Sequence, residues 1–355
     1  MHPFPTAHRH APPGRLTATL AALVLILSGC AGATVPSTSP VASIGVVATG
    51  PVATPVPVVT TVPTATPAFP VTLTDDEGTA VTLSAQPTKI VSLTPASTET
   101  LYALDAGPGI VAADDGSDYP AEAASLPHVA TFSSVDVEKI VALDPDLVVA
   151  GGLGFTPADS IAKLRSLGIP VVVLYAPSVA GVYHDIELLG QAIGQTQVAT
   201  MLTAGMRTRM DAIATAADAA SIAAGAKPAV YYEVGYDDTT GEIFAPADKS
   251  FVAEMVARAG ADPITTGDPS SYKIPLETLI AKDPKIIVLG TNPFYLPTPA
   301  AVAKRPGWKV MTAVKDGRIV SVQDTEITRP GPRLPIGLAN LTKAIWPDIA
   351  LPATP

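Results

Sequence analysis

The sequence predicts an α/β protein in which two lobes of mostly parallel sheet are separated by one long helical segment. Three observations carry that expectation. Short β-branched runs such as "KIVSL", "DLVVA" and "PVVVLY" alternate with helical patterns before residue 180, and "PAVYYEV", "KIIVLG" and "GRIVSV" do the same after residue 226. Such alternation is what βαβ units produce. Between the two series, residues 181–223 contain no proline and many alanines, a helical pattern that, at roughly 1.5 Å per residue, is long enough to span a small domain. Finally, "VDVEKIVALDPDLVVAGG" at residues 135–152 returns as "IPLETLIAKDPKIIVLGT" at residues 274–291. Glu138 and Glu277, Asp144-Pro145 and Asp283-Pro284, and Gly151 and Gly290 are each 139 residues apart.

The elements follow in order along the 355 residues. Residues 1–29 read as a signal peptide: Arg9 and Arg15 precede the apolar run "LTATLAALVLIL", which is too short to span a membrane as a helix. Residues 30–70 begin with Cys30, the only cysteine, and continue without any charged residue in a Pro- and Thr-rich stretch. Frequent proline keeps such a chain extended and solvated, so it reads as a tether. No second cysteine exists for a disulfide, and the folded body must be stable through its core. That body divides into a first lobe at residues 71–180, a connecting helix at 181–225 and a second lobe at 226–350. "VTLTDDEGTAVTL" opens the first lobe as a hairpin around Asp75-Asp76-Glu77-Gly78.

Composition excludes several functions. Two of the 22 basic residues and none of the 32 acidic ones precede Cys30, so the remaining chain has 20 basic residues against 32 acidic. A sequence-independent nucleic-acid binder needs the opposite balance. Only His128 and His184 follow the signal segment, which excludes a transition-metal site built from three or four His or Cys ligands. Asp114-Asp115-Gly116-Ser117-Asp118 lacks the spacing of a calcium loop and reads as a polar turn at a crevice rim. G-x-S-x-G, H-E-x-x-H, P-loop and C-x-x-C patterns are all missing. "GPGIVA" at Gly107 follows a helix and precedes a strand, the reverse of a dinucleotide site. No catalytic residue, resident cofactor or protein metal site is expected.

Two lobes across a crevice form a natural small-molecule site. Thr94-Pro95-Ala96-Ser97-Thr98-Glu99 follows a strand and opens a helix that Ser97 or Thr98 can cap, with amides able to face the crevice. Aromatics make up only 5% of the chain, yet Tyr119, Phe132, Tyr236, Phe244, Tyr272, Phe294 and Tyr295 fall in loops, where rings can cover a flat ligand with little entropy loss. Arg329 and Arg333 in "TRPGPR" suit carboxylates. Each of these residues equally fits a structural role.

"LSGC" ending at Cys30 resembles the bacterial lipobox. "KIVSLTPASTETLYALDAG", "SDYP" with "ATF", "GEIFAPADKSFVAEMVARAGAD", "RPGWKVMTAVKDGRIVSV" and "TRPGPRLPIGLANL" resemble successive blocks of the binding proteins of ABC importers for cobalamin, ferric siderophores and haem, over about residues 86–347. The likeness is greatest to the cobalamin binders. It implies two Rossmann-like lobes joined by one backbone helix, a metal chelate (corrinoid, siderophore or haem) as ligand, and delivery to a permease dimer with a cytoplasmic ATPase. It also implies acylation of Cys30 and anchoring of the exported protein at the outer face of the cytoplasmic membrane. The ligand would meet Pro95, Ala96, Ser97, Tyr119, Phe132, Tyr236, Phe244, Tyr272 and Arg329, while Glu138 and Glu277 would meet arginines on the permease. A chelatase-like enzyme and a membrane-tethered sensor are the alternatives of another class.

Overall fold

The computed structural model describes residues 69–352 apart from Phe132, Leu153 and Phe294. The signal segment, Cys30 and nearly all of the tether lie outside the described residues. β1 (Val71–Thr74) and β2 (Ala80–Leu83) form the expected antiparallel hairpin, with Val71 opposite Leu83. The Asp75 carboxylate closes its turn by accepting from the Glu77 and Thr79 amides at 3.1 and 2.8 Å. Gly78 supplies the φ of +78° that a side chain resists.

The first lobe continues through β3 (Ile90–Ser92), α1 (Pro95–Ala103), β4 (Ile110–Asp114), β5 (His128–Thr131), β6 (Ser134–Val135), α2 (Val137–Leu143), β7 (Leu147–Gly151), α3 (Ala158–Ser166) and β8 (Val171–Leu174). Its sheet has the order β6-β5-β4-β3-β7-β8 and is parallel except at the β5–β6 edge.

Where one long helix was expected there are two, α4 (Val179–Ala192) and α5 (Thr196–Ala223). The break follows from two glycines. Gly194 takes a left-handed φ of +74°, and Gly190 lets the helices touch, since a Cβ there would lie 2.4 Å from that of Ala199. The connection between lobes is therefore α5 alone, while α4 packs on β1 of the first lobe.

The second lobe comprises β9 (Ala229–Glu233), β10 (Gly235–Tyr236), β11 (Ile243–Phe244), α6 (Phe251–Arg258), β12 (Asp262–Pro263), α7 (Leu276–Lys282), β13 (Ile286–Thr291), α8 (Pro299–Val302), α9 (Thr312–Lys315), β14 (Ile319–Gln323) and α10 (Leu334–Ile345). Its four-stranded sheet, ordered β12-β9-β13-β14, is wholly parallel.

Both sheets are buried on both faces, which is why their strands read as continuous apolar runs. Leu147, Val149 and Val172 point to one side, and Val148, Ala150, Val171 and Val173 to the other. In the second lobe Val230, Tyr232 and Val288 oppose Tyr231, Ile287 and Leu289 in the same way. The first-named side chains of both lobes belong to one continuous core that includes Met206, Met210 and Ile213 of α5. Burying each such side chain is worth about 1.5–3 kcal/mol, so the core that spans α5 holds the lobes as one body. Glu254 of α6 reinforces it by accepting from the Val179 amide at the start of α4, at 2.8 Å.

The sequence repeat is a structural repeat. α2 and α7 are seven residues long and start 139 residues apart. Ile140 and Leu279, at the same position in each, are both fully buried. Each helix stops on an aspartate in the left-handed region, Asp144 at φ 50° and Asp283 at φ 42°. A following proline bars the right-handed helical conformation there, and aspartate tolerates the left-handed one. Lys89 and Lys285 meet these aspartates at 3.3 and 2.7 Å.

Candidate functional site: the interlobe crevice

Each sheet changes direction at its first strand. From β3 the chain goes to β4 on one side and later to β7 on the other; from β9 it goes to β12 and then β13. Outside the C-terminal ends of strands at such a switch point, the diverging connections leave a crevice. Residues beyond β14 reach α1 and the loop after β4, so the two switch points lie on facing sides of the lobes.

The first wall is the turn from β3 into α1. Thr94, rather than Ser97 or Thr98, caps α1: its hydroxyl accepts from the Ser97 amide at 3.3 Å and lies 2.8 Å from the Ser97 hydroxyl. The reason is Pro95, whose missing N–H and fixed φ suit the first helical position and make the residue before it the cap. Thr94, Pro95 and Ala96 are half-buried, whereas Ser97 and Thr98 are buried. The Thr98 hydroxyl donates to Ser92 Oγ at 2.8 Å and meets Ser117 Oγ at 2.7 Å, and Ser117 donates to Asp114 at 2.5 Å. Burial raises the Asp114 carboxyl above its ordinary range.

An interlobe charge cluster closes one edge of the crevice. Glu99 of α1, 3% exposed, accepts from Arg333 Nε at 2.9 Å and Nη2 at 2.6 Å, and from Arg329 Nη1 at 3.0 Å. Arg329 Nη1 also donates to Asp118 at 2.6 Å, and Nη2 donates to the Gly116 carbonyl at 3.3 Å. Arg333 lies 4.2 Å over the ring of Tyr119, which is 46% exposed. The two arginines expected to await a ligand's carboxylates are thus already paired with the protein's own, because Glu99 is too deeply buried to be left uncompensated. Asp118 places the predicted polar turn at the rim.

The second wall surrounds Glu233, fully buried at the end of β9. Tyr295 donates to Glu233 Oε1 at 2.6 Å, Arg305 Nη2 donates to the same oxygen at 3.2 Å, and Arg305 Nη1 donates to Oε2. Burial and the neighbouring carboxylate push the Tyr295 phenol far up, so it remains a donor. Arg305 lies 3.7 Å over the Tyr236 ring and 4.7 Å over Trp308. Tyr236 is therefore half-buried in this stack. Phe244 is 3% exposed, its carbonyl accepting from the Tyr231 hydroxyl at 3.1 Å; it is a packed ring with no free face, contrary to the expectation of a crevice wall. Tyr272 is half-buried, with a phenol raised by burial and by Tyr175 of the opposite lobe. Phe132 and Phe294 lie outside the described residues.

Glu99, Tyr175, Glu233 and Arg305 were missed by sequence reasoning. Tyr175 and Glu233 had a positional signal, since each closes or directly follows a strand at the crevice edge. Glu138 and Glu277 are exposed in the first turns of α2 and α7, and neither enters an ion pair among the described residues. Because α2 and α7 run back against the strands they precede, both acids lie on the crevice side of their lobes. Val141 and Ile280, one turn on, repeat the correspondence. His128 and His184 are exposed, and no cluster of three metal-ligating side chains occurs among the described residues. A groove of about 630 Å³ lined by Lys227, Lys285, Arg318 and Trp346 opens at the opposite ends of β9 and β13, away from the crevice.

The sequence profile of the family described as periplasmic binding protein matches residues 90–325, the span from β3 through β14 that builds both walls. The chain belongs to this family. Relatives include an uncharacterised ABC transporter substrate-binding lipoprotein of Bacillus subtilis, 33% identical over 79% of this chain and 87% of its own length. A cobalamin-binding protein of Halobacterium salinarum is 32% identical over 78% of this chain and 74% of that one. A crystal structure of a periplasmic haem-binding protein from Pseudomonas aeruginosa superposes with a TM-score of 0.66 at 26% identity, over 76% of this chain and 96% of the other. Members of the family are substrate-binding transport proteins, which agrees with the missing catalytic signatures. Among the described residues no helix is long and apolar enough to cross a membrane.

Proposed function

We propose that this periplasmic binding protein is the extracytoplasmic receptor of an ABC importer and captures a large metal chelate in the interlobe crevice. A corrinoid is the favoured ligand; a ferric siderophore and haem rank below it. The observation that carries the reading is the pair of switch points facing each other across a crevice rimmed by half-exposed tyrosines. Pro95 and Ala96 offer backbone and small apolar surface, while Tyr119 and Tyr272 offer ring faces from opposite lobes. The relatives that bind cobalamin favour the corrinoid. Cys30 would carry the lipid that tethers the exported protein to the membrane surface.

Glu138 and Glu277 would seat the receptor on its permease. Two equivalent carboxylates, one per lobe, match two identical subunits related by a two-fold axis. Reversing either charge, as Glu138→Arg or Glu277→Arg, is expected to cut uptake in cells at least about tenfold by replacing attraction with repulsion across the contact, without loss of ligand affinity in solution. Normal uptake in the double variant would refute this role. The ligand is tested by titrating residues 30–355 with cyanocobalamin, a ferric hydroxamate and haem while following tryptophan fluorescence. Failure to bind any of the three sinks the reading.

A further inference from the structure

Asp118 and Glu99 hold the same guanidinium in very different ways. The Glu99 side chain is 2% exposed and engages both Arg329 and Arg333, whereas the Asp118 side chain is 52% exposed and engages Arg329 through one contact of 2.6 Å. Arg329 is itself fixed: its own side chain is 16% exposed, and Glu99 Oε1 and the Gly116 carbonyl hold it independently of Asp118. The guanidinium therefore presents a pre-oriented anion seat at the crevice rim, occupied by the most replaceable carboxylate of the cluster. Exposed ion pairs are weak and readily exchanged, while a buried one is not.

We propose that Asp118 is an internal competitor for this seat, so that an anionic substituent on the rim of the ligand, a carboxylate or phosphate, displaces it from Arg329 while Glu99 keeps the arginine in place. Asp118 then acts as a specificity determinant. It sets a threshold that a ligand bearing only neutral amides at that edge does not have to meet, and that a carboxylate meets by substitution. The inference rests on the crevice being the chelate site.

Matched ligands test it. Cyanocobalamin is compared with the monocarboxylates obtained by hydrolysing single peripheral amides, and haem with its dimethyl ester; each comparison differs only in charge at the rim. Titration calorimetry on residues 30–355 gives the acid-to-neutral affinity ratio for wild type, Asp118→Asn and Asp118→Glu. Removing the competitor is expected to raise that ratio about fivefold in Asp118→Asn for at least one monocarboxylate or for haem. Asp118→Glu, which restores a competing carboxylate, is expected to bring it back toward wild type. Wild-type binding with an unchanged or lowered ratio in Asp118→Asn, its thermal midpoint intact, overturns the competitor role alone. A wild-type chain that binds no ligand of either set overturns the crevice reading and this inference with it.

Discussion

Glu99 and Glu233 pose the same problem to the two lobes, which solve it differently. Both carboxylates are nearly inaccessible, at 3% and 0% exposure, and an uncompensated buried charge costs several kcal/mol. Glu233 is neutralised within its own lobe, by Arg305 and Tyr295. Glu99 is neutralised from the other lobe, by Arg329 and Arg333, 230 and 234 residues further along the chain. The second lobe therefore carries a complete charge network whatever the first one does. In the first lobe, the carboxylate of α1 is satisfied by protein only while the lobes are together. Its counter-charge comes from the segment after β14, so the ion pairs cross from one lobe to the other. One buried glutamate thus staples a lobe, and the other latches two lobes.

The largest expected effect tests the staple. Glu233→Ala leaves Arg305 buried among Tyr236 and Trp308 without its counter-charge, and should cost about 3–5 kcal/mol in urea unfolding. A loss under about 1 kcal/mol would break the comparison on that side. Glu99→Gln is expected to cost less, about 2 kcal/mol, because Arg329 and Arg333 lie at the crevice edge and can turn to water. Its signature is local: faster amide exchange confined to α1 and residues 329–333. If the loss matches that of Glu233→Ala and exchange quickens everywhere, Glu99 is an ordinary core charge and the latch does not exist.

Much of this arrangement was legible in the sequence, and what was not follows a physical pattern. The α/β class, the two lobes and the repeated helix–turn–strand were readable because they are written in local periodicity. β7 and β13 are unbroken apolar runs, and α2 and α7 stop at Asp-Pro. Strands such as β6, β10, β11 and β12 are two residues long, too short to leave a period. The division between α4 and α5 rests on Gly190 and Gly194, and isolated glycines in a helical pattern leave little local signal. Exposure was legible for Glu138, Glu277 and Tyr119, which all reach solvent as their polar or loop settings imply. Pairing was illegible: nothing local to "TRPGPR" reveals that a glutamate more than 200 residues earlier already occupies both arginines. Phe244 misled for the same reason: it ends β11, paired with Gly235 of β10, and its carbonyl accepts from Tyr231.

Another buried carboxylate sharpens the contrast, because it has no arginine from either lobe. Asp185 in α4 is 8% exposed, its Oδ1 has no hydrogen-bond partner, and its charged neighbour is Asp76, another acid. Burial, with Asp76 adding repulsion, pushes its carboxyl up to about 8 from the ordinary 3.8. Asp185 is thus held protonated where Glu99 and Glu233 are paired with arginine. Its folded-state value lies above its unfolded one, so the folded chain binds an extra proton between them. The associated stability is fully present below about pH 4 and is lost as pH rises through about 8. Asp185→Asn keeps a neutral side chain of the same shape and cannot titrate. Relative to this variant, the wild type should lose about 1.4 kcal/mol between pH 7 and pH 9, measured by urea unfolding at each pH. Parallel pH profiles for the two proteins would mean that Asp185 is ionised after all, its charge solvated through Asp76 and the hairpin turn. In that case Asp185 would join Asp114, which is buried beside the Ser117 hydroxyl and the Gly116 amide with no cation, as an acid this fold buries without an arginine.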